Sequence, residues 1–163
     1  IAAALIASVT PATAASINNT FNVTITIAPK CIFSAAAIAD IAYNTHFTTA
    51  TTPSEVNLDG STIVKVLCTK TTPYTLTMAP TGASTAGTGT LKSNASSNTD
   101  TIAYGLFRDP ARSLAWGTTS GTNTQAGTGT GVSIDHTVYS RIPTIGNVTP
   151  DNYADTVTVS VVY

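Results

Sequence analysis

The chain has 163 residues, a charged fraction of 9% and a formal net charge of -1, a length that suits one domain with a real core. Its basic residues, Lys30, Lys65, Lys70, Lys92, Arg108, Arg112 and Arg141, are spread along the chain, which leaves no patch able to neutralise several phosphates and argues against a nucleic-acid partner. Abundant Thr, Ala, Ser, Val and Gly with little Glu or Lys point away from helices and toward short strands joined by loops, an all-β protein.

The opening "IAAALIASVTPATAA" is an uncharged apolar run with an Ala12-Thr13-Ala14 pattern before Ala15. It reads as the back end of a secretory signal peptide over residues 1–14, absent from the mature protein; an apolar first strand or helix is the alternative. Beyond it no apolar run approaches the roughly 18 residues that span a bilayer, so the mature chain is expected not to insert in a membrane. Next comes "INNTFNVTITIAPKC", where Phe21, Val23, Ile25 and Ile27 alternate with Asn22, Thr24 and Thr26 as in a half-buried strand. No turn returns this strand to a neighbour.

Residues 32–56 alternate weakly and read as irregular strand and loop, with Ile38, Ile41 and Phe47 as inward candidates. "STIVKVLCTK" is a clear strand that places Val64, Val66 and Cys68 on one side, and "PYTLTMAP", with Tyr74, Leu76 and Met78 in phase, reads as the next antiparallel strand. "TGASTAGTGTLKSNASSNTD" is too polar for a core and reads as a surface loop or a pair of exposed edge strands. "TIAYGLFRDPARSLAWG" carries Ile102, Tyr104 and Leu106, a turn at Asp109-Pro110, then Leu114 and Trp116, the pattern of a hairpin. "TTSGTNTQAGTGTGVSI" reads as a second low-complexity loop, "HTVYSRI" as a strand centred on Val138, and "PTIGNVTPDNY" as a turn. In the closing "ADTVTVSVVY", Val157, Val159, Val161 and Tyr163 share one face. Strong strands toward each end with shorter ones between suggest an immunoglobulin-like β-sandwich.

Chemistry is sparse. The carboxylates fall nearly all in turn sequences, where Asp bonds its own backbone, and adjacent Asp135 and His136 on a strand would face opposite ways, so no catalytic site and no enzyme is expected. "GTGTG" at residues 127–131 does not follow a buried strand into a helix, as a phosphate loop would. The Asn-x-Ser/Thr triplets at Asn18, Asn22, Asn94 and Asn147 read as solvent-facing residues, and Trp116 and Tyr104 as core before sugar platform. His46 and His136 are isolated, so no metal and no cofactor is expected. The two cysteines, Cys31 and Cys68, suit one disulfide in an oxidising compartment, with two buried thiols as the alternative.

Taken with the open end strands, "FNVTITIAPKC", "YGLFRDPARSLAWG" and "VYSRIPTIGNVTPDNYADTVTVSVVY" resemble the spore coat U domain, the fold of subunits of archaic chaperone-usher pili, over about residues 16–163. The most specific parts are Tyr-x-Leu-Phe-x-Asp-x-x-Arg followed by Trp-Gly, and Tyr-x-Asp-Thr-Val-x-Val. The resemblance implies an incomplete immunoglobulin-like pilin that lacks its last strand: a donor segment at residues 15–28, a pilin domain at 29–163, and no catalysis. Phe21, Val23, Ile25 and Ile27 would be donor residues; Val157, Val159 and Val161 would line the acceptor groove, with the Tyr163 carboxylate gripped by a chaperone. Cys31 and Cys68 sit where the family disulfide is expected. The implied partners are neighbouring pilin subunits, a periplasmic chaperone and an outer-membrane usher, on a route through the periplasm to the cell surface, where the pilus would support adhesion and biofilm formation. A coat protein that closes its own groove, and an adhesin for carbohydrate or surfaces, are the alternatives.

Overall fold

The structure is a computed structural model that describes residues 13–46, 55–82 and 84–163. Most of the expected signal segment and Phe47 lie outside these residues. Nine strands and no helix form among them: β1 (Cys31–Phe33), β2 (Val56–Cys68), β3 (Pro73–Pro80), β4 (Thr88–Ser93), β5 (Thr101–Phe107), β6 (Gln125–Thr128), β7 (Ser133–Thr144), β8 (Tyr153–Ala154) and β9 (Val157–Val162). They make two sheets of unequal width, one ordered β1-β2-β7-β5-β4-β8 and the other β6-β3-β9. Every pairing is antiparallel, as the all-β sandwich expectation requires.

The wide sheet is built on β2 and β7, which run in register from Val56 opposite Thr144 to Leu67 opposite Ser133. Alternation along β2 turns Val64, Val66 and Cys68 inward, and along β7 it turns Val138 and Ile142 inward; all are buried. From the narrow sheet Tyr74, Leu76 and Met78 of β3 meet them, and Trp116 fills the space between, donating its indole N–H to the Leu76 carbonyl at 3.1 Å. Trp116 is therefore core. Each such fully buried large side chain contributes about 1.5 to 3 kcal/mol of transfer free energy, so the sheets are held by side-chain burial across the sandwich.

Several local expectations need correction. β3 does not pair with β2; after the turn at 69–72, where Thr71 adopts φ 64°, the chain crosses to the other sheet. Residues 81–100, read as loop or exposed edge, contain β4, which lies between β5 and β8. Residues 118–134, read as loop, contain β6 at the edge of the narrow sheet. The expected hairpin at 101–117 turns at Asp109 as anticipated but closes only through the Phe107–Ala115 bridge, because Leu114 is exposed while Trp116 dives into the core. The turn is held by the Asp109 carboxylate, which accepts from the backbone N–H groups of Ser113 and Leu114.

Candidate functional site

β9 ends the narrow sheet: β3 occupies one side of it, and its other edge has no partner strand among the described residues. The narrow sheet has only three strands to set against the six of the wide sheet. The result is an open groove of about 810 Å³ whose floor includes Val64, Val138, Ser140 and Ile142 and whose rim includes Val157 and Val159. These two valines are half-buried. Val161 shares their face but does not line the groove, and Tyr163, 57% exposed, lies instead at a shallow depression beside Pro73 and Tyr74.

Residues 13–30 belong to no strand, and every one of them is exposed. The half-buried strand expected there is thus unburied in its own molecule. Phe21, Val23, Ile25 and Ile27 are 88%, 87%, 85% and 74% exposed, and Ile17, in the same phase, is 98% exposed. The phase of Ile17 was readable in "INNTF" but the polar Asn18 and Asn19 masked it. Leaving so much apolar surface in water is unfavourable by roughly 25 cal/mol per Å², and a contiguous patch of this kind marks an interaction surface.

The root of this segment is fixed. Cys31 and Cys68 form a disulfide, directly opposite one another in the β1–β2 ladder. One residue further out, the Lys30 N–H donates to the Thr69 hydroxyl at 3.1 Å and the Lys30 carbonyl accepts from the Thr69 N–H at 2.9 Å. Lys30 therefore extends the ladder past the end of β2, and only Ala28 and Pro29 separate it from Ile27.

The groove's other wall is the irregular stretch 38–46. Ile38, Ile41 and Tyr43 are half-buried in it. Gly60 of β2 makes room for this wall: a Cβ there would lie 2.4 Å from Ile41 Cγ2. The Tyr43 hydroxyl donates to the hydroxyl of Ser140, a buried groove-floor residue, and the Thr62 hydroxyl donates to the Ala39 carbonyl at 2.7 Å. Sequence reasoning found Ile38 and Ile41 but not Tyr43.

The motif residues behind the family resemblance prove to be braces. Tyr104 donates its phenol to the Asp155 carboxylate at 2.7 Å, tying the middle of β5 to the entry of β9. Burial first, then that acceptor, pushes the Tyr104 phenol up in pKa, so it remains a donor throughout the physiological range. Asp59 accepts two bonds from Arg141, at 2.7 and 3.0 Å, and one contact from Arg112 at 3.0 Å; the Arg141 bonds first, then the Arg112 charge, hold its carboxyl below the ordinary range. Asp100, Asp109 and Asp151 are likewise held low, by Thr149, by the Leu114 N–H and by the Ser93 hydroxyl respectively. Each serves a turn.

Asp135 and His136 face opposite ways as expected: Asp135 pairs with Lys65 on the outer face, while His136 packs between Tyr74 and Trp116 with its Nε2 2.8 Å from the Tyr74 hydroxyl. Among the described residues no three His, Cys, Asp or Glu side chains group as metal ligands, and no helix is long and apolar enough to cross a membrane. The feature that stands out is a groove beside an open strand edge, in a molecule carrying an exposed segment of alternating apolar residues.

An all-β sandwich of two antiparallel sheets with a groove beside the free edge of β9 is the class this geometry defines. The Spore Coat Protein U domain model matches residues 17–160, and the chain belongs to that family. Protein U of Myxococcus xanthus is 30% identical over 168 residues, covering 99% of this chain and 93% of that protein. Among solved structures, a chain of the CsuC-CsuE chaperone-tip adhesion subunit pre-assembly complex from archaic chaperone-usher Csu pili of Acinetobacter baumannii aligns with a TM-score of 0.48 and 16% identity, over 85% of this chain and 40% of that one.

Proposed function

We propose that the chain is a structural pilus subunit that polymerises by strand complementation, each molecule inserting Phe21, Val23, Ile25 and Ile27 into the next molecule's groove alongside β9. The observation that carries this reading is the joint exposure of the donor side chains and of the groove edge in one molecule. An inserted strand would gain main-chain bonds from β9 and bury alternate side chains, the two elements of recognition by β-strand addition. Four large apolar side chains contribute roughly 1.5 to 3 kcal/mol each before ordering costs. The segment carries no charge before Lys30, so insertion strips no ion of its water. Such a contact joins two different surfaces and does not close on itself, so it builds a fibre.

Closure of a chain's own groove is disfavoured by the root, where Lys30 is paired to Thr69 and two residues remain in which to reverse direction. In this reading residues 15–28 are the donor and 29–163 the acceptor domain. The family resemblance adds a periplasmic chaperone that holds the groove before assembly, an outer-membrane usher that exchanges it, and a fibre on the cell surface that supports adhesion and biofilm formation. The test is the size distribution of the oxidised chain from residue 15 onward, refolded without chaperone and read by sizing column and negative-stain microscopy. Rods and SDS-resistant ladders are expected, and their loss on deleting residues 16–28; a clean monomer from the undeleted chain would overturn the reading.

A further inference from the structure

We infer that residues 38–46 act as a displaceable strap that occupies part of the groove in the free subunit and competes with the incoming strand, with the Tyr43–Ser140 hydrogen bond as its latch. This rests on the strand-complementation reading and concerns the control of the same site.

The strap covers the floor an inserted strand needs. Ile41 sits over Gly60, Ala39 over Thr62 and Tyr43 over Ser140, residues of β2 and β7 whose inner faces form the groove bottom opposite β9. Its hold is by side chains: among the described residues no backbone-to-backbone hydrogen bond reaches 38–46. An incoming strand that pairs with β9 offers a full ladder as well as apolar side chains, so it outcompetes a segment that offers only the latter. Meanwhile the strap lines the same groove as Val64, Val138 and Ile142, with Ile38 and Tyr43 packed against the core, and gives the Ser140 hydroxyl a partner, which a buried polar group requires. Tyr43 suits the latch because an aromatic ring covers the floor while its hydroxyl reaches across. The free subunit is thereby kept folded but slow to assemble.

The experiment follows uptake of a fluorescent peptide of residues 17–28, in excess, by the dilute full-length oxidised chain. Y43F removes the latch hydroxyl alone and is expected to speed uptake on the order of 5-fold, the factor equivalent to one neutral hydrogen bond. A39C/T62C, with a second disulfide joining the strap to β2, is expected to abolish uptake, whereas A39C alone still takes up peptide and T62C alone, which loses the hydroxyl that holds the Ala39 carbonyl, takes it up faster. A locked chain that binds peptide as fast as the unaltered one, or a Y43F chain that binds no faster, overturns the strap. If no chain binds the peptide at all, strand complementation itself fails and the strap falls with it.

Discussion

At the scale of single residues, His136 shows how this sandwich handles a polar side chain in its interior. Its ring is wedged between Tyr74 and Trp116, and burial there, opposed by the Asp135 charge, lowers its pKa below 6.5. The neutral ring is the form that packs. Because the folded pKa lies below the unfolded one, the unfolded chain binds the proton more readily. The stability owed to neutral His136 is complete above about pH 6.5 and is lost progressively as the pH falls from there through the folded pKa. Urea midpoints measured between pH 8 and 5 should therefore fall on acidification. H136Q, which has no proton to gain, should lose that part of the slope; an unchanged slope would place the effect elsewhere.

At the scale of elements, what could be read in the sequence depended on whether a strand carries its own apolar side chains. β2, β3, β7 and β9 do, and alternation in Val64–Val66–Cys68, Tyr74–Leu76–Met78 and Val157–Val159–Val161 located them. β4 has only Leu91 and β6 only Ala126, so composition reads the β4 region as loop or exposed edge strands and the β6 region as loop. Gly89 and Gly127 show why they are nevertheless strands: a Cβ at either would strike the ring of Tyr104 or Tyr74, at 2.2 and 2.4 Å, so the aromatic of the neighbouring strand covers the glycine backbone. The apolar signal for these strands lies on their partners. Sheet membership was equally hidden, since "PYTLTMAP" has the same pattern whichever sheet it joins. The site divides in the same way: the phase of Phe21, Val23, Ile25 and Ile27 is carried by those residues themselves, whereas Tyr43 depends on contact with Ser140, 97 positions away. The disulfide is the one long-range tie visible as a residue type. Replacing both cysteines, C31S/C68S, should destabilise the domain by about 4 kcal/mol on the chain-entropy view of a loop this long, measured by urea unfolding. A change under about 1 kcal/mol would mean that the β1–β2 pairing is already closed in the unfolded ensemble.

At the scale of the whole molecule, one chain presents two unlike surfaces, a strand and a slot, and they can be inactivated separately. I25D should place an unpaired carboxylate in the partner's groove, which is strongly unfavourable, yet leave its own groove intact. V159D should spoil the groove but keep a working donor. Neither alone should form rods. Mixed in equal amounts they should give one heterodimer and nothing longer, because only the V159D donor meets an intact I25D groove, a result readable by light scattering. Rods from either variant alone would refute a single strand-in-groove contact.

The way the N-terminal segment is rooted bears on a matter of mechanics. Tension along a fibre of such subunits would leave one groove through Ile27 and reach the next domain at Cys31. There a covalent bond passes it to Cys68 at the end of β2, so the three-residue β1 is never the weakest member. β2 lies beside β7 along almost its full length, and the load is spread over that seam in shear, where many hydrogen bonds must fail together. In such a fibre the domain would outlast the joint, and an overloaded filament would part between subunits, each of them still folded and able to rejoin.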